Sequence, residues 1–148
     1  MNAKEFMLRY RVADEKIKML NAEIERIESS AIGGSAQGDG QPHGTGTSDK
    51  VGRTAAKAAD MQLALEAWKI EQARIKLEII EVLGAVTRRE LFEVLQLRYI
   101  APRPADEWFN IAHVLERSIR QAQRLHGEAL QEVQRIIDRK GADNAVSS

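Results

Sequence analysis

Residues 116–130, "ERSIRQAQRLHGEAL", gather hydrogen-bonding side chains on one short amphipathic segment. Arg117, Ser118, Arg120, Gln121, Gln123 and Arg124 fall close together, and no acidic residue interrupts the run from Arg117 to His126. An arginine fork can hydrogen-bond bidentately to guanine N7 and O6, and a glutamine amide can do the same with adenine. A helix whose first turns enter the major groove brings such groups to base edges. Ser118 can cap the helix start or donate to a phosphate, and the helix N-terminus itself favours an anion. Exposed helices also carry Arg and Gln simply because both are well solvated. The six residues are therefore candidates for binding double-stranded DNA only if the surrounding elements keep this side of the helix outward.

Other chemistry finds little material. The chain has no cysteine, and His43, His113 and His126 are too scattered to make a metal-ligand spacing. The stretch "GDGQPHGTG" lacks the lysine and the flanking strand of a phosphate-binding loop. No nucleophile and base can be paired, and the Asp and Glu residues fall on solvated helix faces. The expectation is a protein that is not an enzyme and takes no metal or cofactor. Lys plus Arg and Asp plus Glu both number 22 in the 148 residues, so no global field draws the chain to polyanions. Contact with nucleic acid must be local or helped by a partner. The N-terminus "MNAKEFMLRYRVADEK" has no apolar core of a leader, and no run approaches the roughly 20 apolar residues that span a bilayer. No membrane partner and a cytoplasmic location are expected.

The elements that must position the six residues are helical. Hydrophobic residues make up 43% and aromatics 5%, which suits an aliphatic core between helices better than a sheet sandwich. Phe6, Tyr10, Ala13, Ile17, Leu20, Ile24 and Ile27 recur at spacings of three and four. Ala58, Met61, Leu65, Trp68, Gln72, Ile75, Ile79, Val82 and Val86 repeat that rhythm, with Gln72 the one polar member and Ser48 or Asp49 available as N-cap. Between the stripes, residues 29–50 are rich in Gly and Ser and contain Pro42 and His43, which predicts a flexible loop. Two striped helices joined by a loop predict a long antiparallel hairpin over residues 1–86. Pairing between chains would satisfy the same stripes, so a homo-oligomer stays open.

A second unit is expected over residues 87–140, followed by a disordered tail at 141–148. Thr87 and Glu90 have the spacing of a capping box for a helix over 87–100, which Pro102 and Pro104 end. Asp106 can cap a short helix through "EWFNIAHVL", and a last helix runs from Ser118 to about Arg139. Two helices separated by about three residues have the form of a helix-turn-helix, with Trp108 at its entrance and 87–100 as third partner. Ala112 is small where the two helices must cross, and Ile119, Ala122, Leu125, Ala129, Val133 and Ile136 make the buried stripe of the second. His126 lies at the edge of that stripe. Such a turn normally takes glycine, because one residue must be left-handed; Glu116 there would cost roughly 1–2 kcal/mol. The turn is accordingly expected to be longer or differently shaped.

"LQLRYI", then Trp108 followed by "IA", then "LERS" and "RLHGEAL", together resemble the C-terminal half of small phage-encoded transcriptional regulators. Their helix-turn-helix is similar to region four of bacterial sigma factors, and they include late-gene activators of the ArpU and RinA type. The N-terminal "LRYRVADEKIKML", the Gly/Ser-rich stretch and the second long helix extend the resemblance loosely over nearly the whole chain. Glu116, Arg117 and "APRPAD" depart from the pattern. The resemblance implies an all-α regulator of phage or prophage promoters in a bacterial host, binding DNA and able to contact host RNA polymerase. Two alternatives stay open: a helical assembly or packaging protein similar to a small terminase subunit, and a polymerase-binding protein that does not touch DNA.

Overall fold

The first helix begins where Asn2 and Glu5 cap each other. The Glu5 amide donates to Asn2 Oδ1 at 2.8 Å and the Asn2 amide donates to Glu5 Oε2 at 3.1 Å, satisfying donors that a helix start otherwise leaves open. From there the computed structural model describes residues 1–36 and 46–147. They form α1 (Ala3–Ala36), α2 (Gly46–Gly84), α3 (Arg89–Leu95, continued by a π-helical turn over Gln96–Ile100), α4 (Trp108–Leu115) and α5 (Ile119–Ser147). No strand occurs among the described residues, and the fold is all-α. None of these helices is long and apolar enough to cross a membrane.

The chain divides into two compact units, one of Ala13–Gln72 and the other of Met1–Val12 with Ala73–Ser148. The first turns of α1 and the last of α2 thus belong with α3 to α5, and the division does not fall at residue 86. In the unit Ala13–Gln72, Ile17, Ile24 and Leu65 are buried, and Leu20, Met61 and Trp68 pack against them. Asp14 meets Gln72, the Lys16 ammonium lies 4.2 Å from the Trp68 ring centre, and Ile27 lies beside Thr54 and Lys57. Numbers rise on α1 as they fall on α2, so the two segments run antiparallel. Gln72, the polar member of its stripe, donates through Nε2 to Asp14 Oδ1 at 3.3 Å. A half-buried amide is tolerated there because it has this partner.

In the larger unit, Met7, Ile75, Ile79, Val82, Val94, Leu95, Ile111, Ala122, Ala129 and Val133 are all buried. Arg9 binds Glu78 at 2.6 Å, and the Ala3 amide donates to Gln134 Oε1 of α5 at 2.8 Å. The α3, α4 and α5 helices pack on one another in every pairwise combination.

Several boundaries differ from expectation. Backbone helix continues through residue 36 and resumes at Gly46, so both ends of the expected loop 29–50 are helical; Pro42 lies outside the described residues, as does His43. Ser48 and Asp49 fall inside the first turn of α2 instead of at its cap. The expected disordered tail is helical as far as Ser147. Once a helix exists, each added residue brings its own hydrogen bond, and an interior glycine costs only about 1 kcal/mol relative to alanine. Two expected caps are also absent. The residue before α3 is Arg88 and that before α4 is Glu107, neither with a side-chain cap bond. Glu90 instead pairs with Arg117, while Asp106 pairs with Arg103 at 3.4 Å and lends its carbonyl to Arg98 at 2.6 Å.

The C-terminal end of the π turn is held from a distance. Arg11 of α1 donates through Nη2 to the Ala101 carbonyl at 2.6 Å and approaches the Arg98 carbonyl at 3.4 Å, reaching acceptors that the helix end leaves open. Truncating Arg11→Ala should therefore lower the unfolding free energy by about 1.5–3 kcal/mol, the usual worth of a hydrogen bond from a charged donor. Chemical denaturation reads this directly; a loss of only a few tenths would mean that water replaces the guanidinium without penalty.

Candidate nucleic-acid interface

Leu91, Val94 and Leu95 of α3 with Tyr99 form one wall of the core, Ile111 and Ala112 of α4 a second, and Ala122, Ala129, Val133 and Ile136 of α5 a third. Burying these residues orients α5, because its apolar side must face α3 and α4. The opposite side is consequently exposed: Arg117, Ser118, Arg120, Gln121, Gln123 and Arg124 are all accessible.

The turn between α4 and α5 is short. Glu116 itself takes the left-handed conformation, with φ 55° and ψ 43°, and no extra residue is inserted. Its amide donates to the His113 carbonyl at 3.2 Å and the Arg117 amide donates to the Ala112 carbonyl at 3.0 Å, the paired bonds of a Schellman end. The expectation of a longer or reshaped turn was wrong. The two terminal hydrogen bonds and the packing of both helices hold Glu116 in a conformation that glycine would adopt more readily.

Immediately after the turn, Ser118 and Gln121 form a reciprocal capping box. The Gln121 amide donates to Ser118 Oγ at 3.1 Å, and the Ser118 amide donates to Gln121 Oε1 at 3.0 Å. Gln121 is therefore committed through its side-chain oxygen. Bidentate reading of adenine needs both ends of the amide, so it would require that bond to open. The S-x-x-Q spacing that announces this cap stands openly in the sequence. Arg117 is also engaged, its Nη2 2.6 Å from Glu90 Oε1. Arg124 lines a shallow depression of about 170 Å³ with Glu90, Arg117, Gln121 and Leu125. On the same flank Arg88 pairs with Glu128 at 3.1 Å and Arg89 with Glu93 at 2.9 Å. Arg120 and Gln123 are exposed and have no side-chain partner among the described residues.

Ile119, expected in the buried stripe, is 43% exposed. It is the first residue of α5. Sequence periodicity alone could not separate it from Ala122 and Ala129. Comparison with known proteins finds no matching family model, no matching curated protein and no matching solved structure.

Behind the outward face lies an aromatic knot. Tyr99 Oη and His126 Nε2 are 2.6 Å apart in one hydrogen bond, and their rings stack with centres 5.6 Å apart. Trp108 meets His126 edge-on at 5.2 Å, and the Arg98 guanidinium sits 4.6 Å over the Trp108 ring. Burial, with lesser contributions from the Arg98 and Lys4 charges, lowers the His126 pKa to about 4; burial raises that of Tyr99. His126 is thus a neutral packing residue near neutrality. Among the described residues no group of His, Asp and Glu is arranged to hold a metal ion.

Two outcomes follow from this geometry. Glu116→Gly should raise stability by about 1 kcal/mol, since it removes the strain of a left-handed side-chain-bearing residue; a lower melting temperature would contradict the strained turn. The unfolded chain protonates His126 near pH 6.5, but the folded chain does so only near 4. Stability should therefore be complete above about pH 6.5 and decline as pH falls toward 4. Urea titrations of wild type and His126→Gln across this window test it, and the variant should lose that part of the slope.

Proposed function

We propose that the chain regulates transcription from phage or prophage promoters in the bacterial cytoplasm, binding duplex DNA sequence-specifically through the first turns of α5. The observation that carries this reading is an outward helix face, itself without an acidic residue from Arg117 to His126, at the start of a helix oriented by a tight left-handed turn. In this reading α4, the turn and α5 act as a helix-turn-helix similar to sigma-factor region four. Arg120, Gln123 and Arg124 stand nearest the bases, while Arg117 and the helix N-terminus with Ser118 meet phosphates. Gln121 acts first as the cap that fixes the helix start and reads a base only if that cap opens. A chain without net charge binds DNA weakly through its overall field, which favours a partner such as host RNA polymerase to supply affinity.

A specific feature favours a second reading. Leu63 and Ile70, spaced seven apart on α2 in the unit Ala13–Gln72, are 72 and 64% exposed, the spacing of a seam between helices of different chains. Such a seam suits an oligomeric assembly or packaging protein similar to a small terminase subunit, and equally a dimeric regulator. A ring-sized particle in solution without promoter activation would select the packaging reading. Retention of RNA polymerase without any shift of DNA would select a polymerase-binding protein.

The deciding experiment compares wild type with an Arg120→Ala, Arg124→Ala double variant in binding to duplexes selected from a random pool. A bidentate arginine–guanine contact contributes about 1–3 kcal/mol, so each arginine that reads a guanine should cost roughly 5- to 160-fold in affinity and relax preference at its base pair. Arginines that meet only phosphates should weaken all sequences alike and reduce the salt slope. Unchanged affinity and unchanged preference reject the proposal.

A further inference from the structure

We propose that Ile119 is a specificity-determining residue that reads the 5-methyl group of a thymine in the major groove. This rests on the DNA-binding reading of α5 and goes beyond the polar contacts assigned above. The argument begins with what the first turn has left to offer. Arg117 is bound to Glu90, and Ser118 and Gln121 are bound to each other's backbone amides. Across residues 117–121, Arg120 makes no hydrogen bond or ion pair among the described residues, and Ile119 beside it exposes part of an apolar side chain. Ile119 is 43% exposed, whereas Ala122, Ala129, Val133 and Ile136 of its stripe are buried and Leu125 is half-buried.

The chemistry of that position is definite. Thymine is the base that presents a methyl group to the major groove, and apolar side chains are the groups that recognise it. Isoleucine is stiff, since β-branching leaves essentially one χ1 rotamer in a helix. The Ser118–Gln121 cap holds its backbone in place from both sides, so little side-chain freedom remains to be lost on contact. Arg120 follows it directly and Arg124 lies one turn on, both exposed, so a polyanion approaching them brings its groove to the isoleucine.

The test uses the full chain and duplexes recovered by selection from a random pool. Each thymidine of the recovered site is replaced in turn by deoxyuridine, which removes only the methyl group. Wild type should lose about fourfold in affinity at one position, the worth of one buried methylene, and be indifferent elsewhere. Ile119→Ala should bind the thymidine duplex about as weakly as wild type binds the deoxyuridine one, show no further loss on methyl removal, and keep its salt slope. The substitution improves helix propensity and lies on the surface, so an unchanged melting temperature controls for folding. Selective DNA binding with no methyl-sensitive position, or the same methyl sensitivity in Ile119→Ala, overturns the assignment to Ile119 and leaves DNA binding intact. Failure to recover any preferred duplex overturns the DNA reading itself, and this inference with it.

Discussion

The burial of one side of α5 against α3 and α4 is the constraint from which the rest of the C-terminal architecture follows. Ala112 and Ala122 are small and buried on two helices that pack together, and the connection from Leu115 to Ile119 is short enough to demand a sharp reversal. The left-handed Glu116 is how the chain meets that demand. With the turn set, Ser118 and Gln121 can close a capping box, and the side chains beyond them project away from the core. Packing thus determines direction, and direction determines which chemistry reaches solvent.

Charge is handled locally. The chain balances its acids and bases overall, and around α5 the balance is drawn residue by residue: Glu90 with Arg117, Glu128 with Arg88, Glu93 with Arg89. Exposed pairs of this kind contribute little to stability. Their effect here is to divide the arginines into those already matched and those, like Arg120, that are not. Arg11 shows a different use of the same side chain, since its guanidinium reaches from α1 to backbone carbonyls where α3 ends.

The long helices were legible in the sequence because their stripes run for many turns and every turn repeats the same message. Residues such as Ile17, Ile24, Leu65, Ile75 and Ile79 are buried as the periodicity requires. Local punctuation was less legible. Thr87 and Asp106 have the right side chains for caps, yet the chain enters α3 and α4 one residue later and uses neither. Packing of α3 and α4 sets those starting points, and a cap contributes too little to override it. Asn2 and Glu5 show the converse, a capping-box spacing in the sequence that the chain does use. For the candidate interface, residue types, their outward side and the S-x-x-Q spacing of the Ser118–Gln121 cap were readable, but the pairing of Arg117 with Glu90 was not, because it depends on tertiary approach. Ile119 departs from the stripe for a related reason: periodicity counts residues along a helix and does not mark how its first turn is covered.

Helix α5 spans 29 residues, on the order of 43 Å at 1.5 Å rise per residue, without a break from the turn to Ser147. Its early turns carry the exposed arginines, while Gln134 receives the amide of Ala3 and Lys140 pairs with Glu81. A rod of this length acts as a lever. Any tilt imposed on its first turn by whatever it binds is magnified toward the far end, where it would be felt by the start of α1 and the last turns of α2.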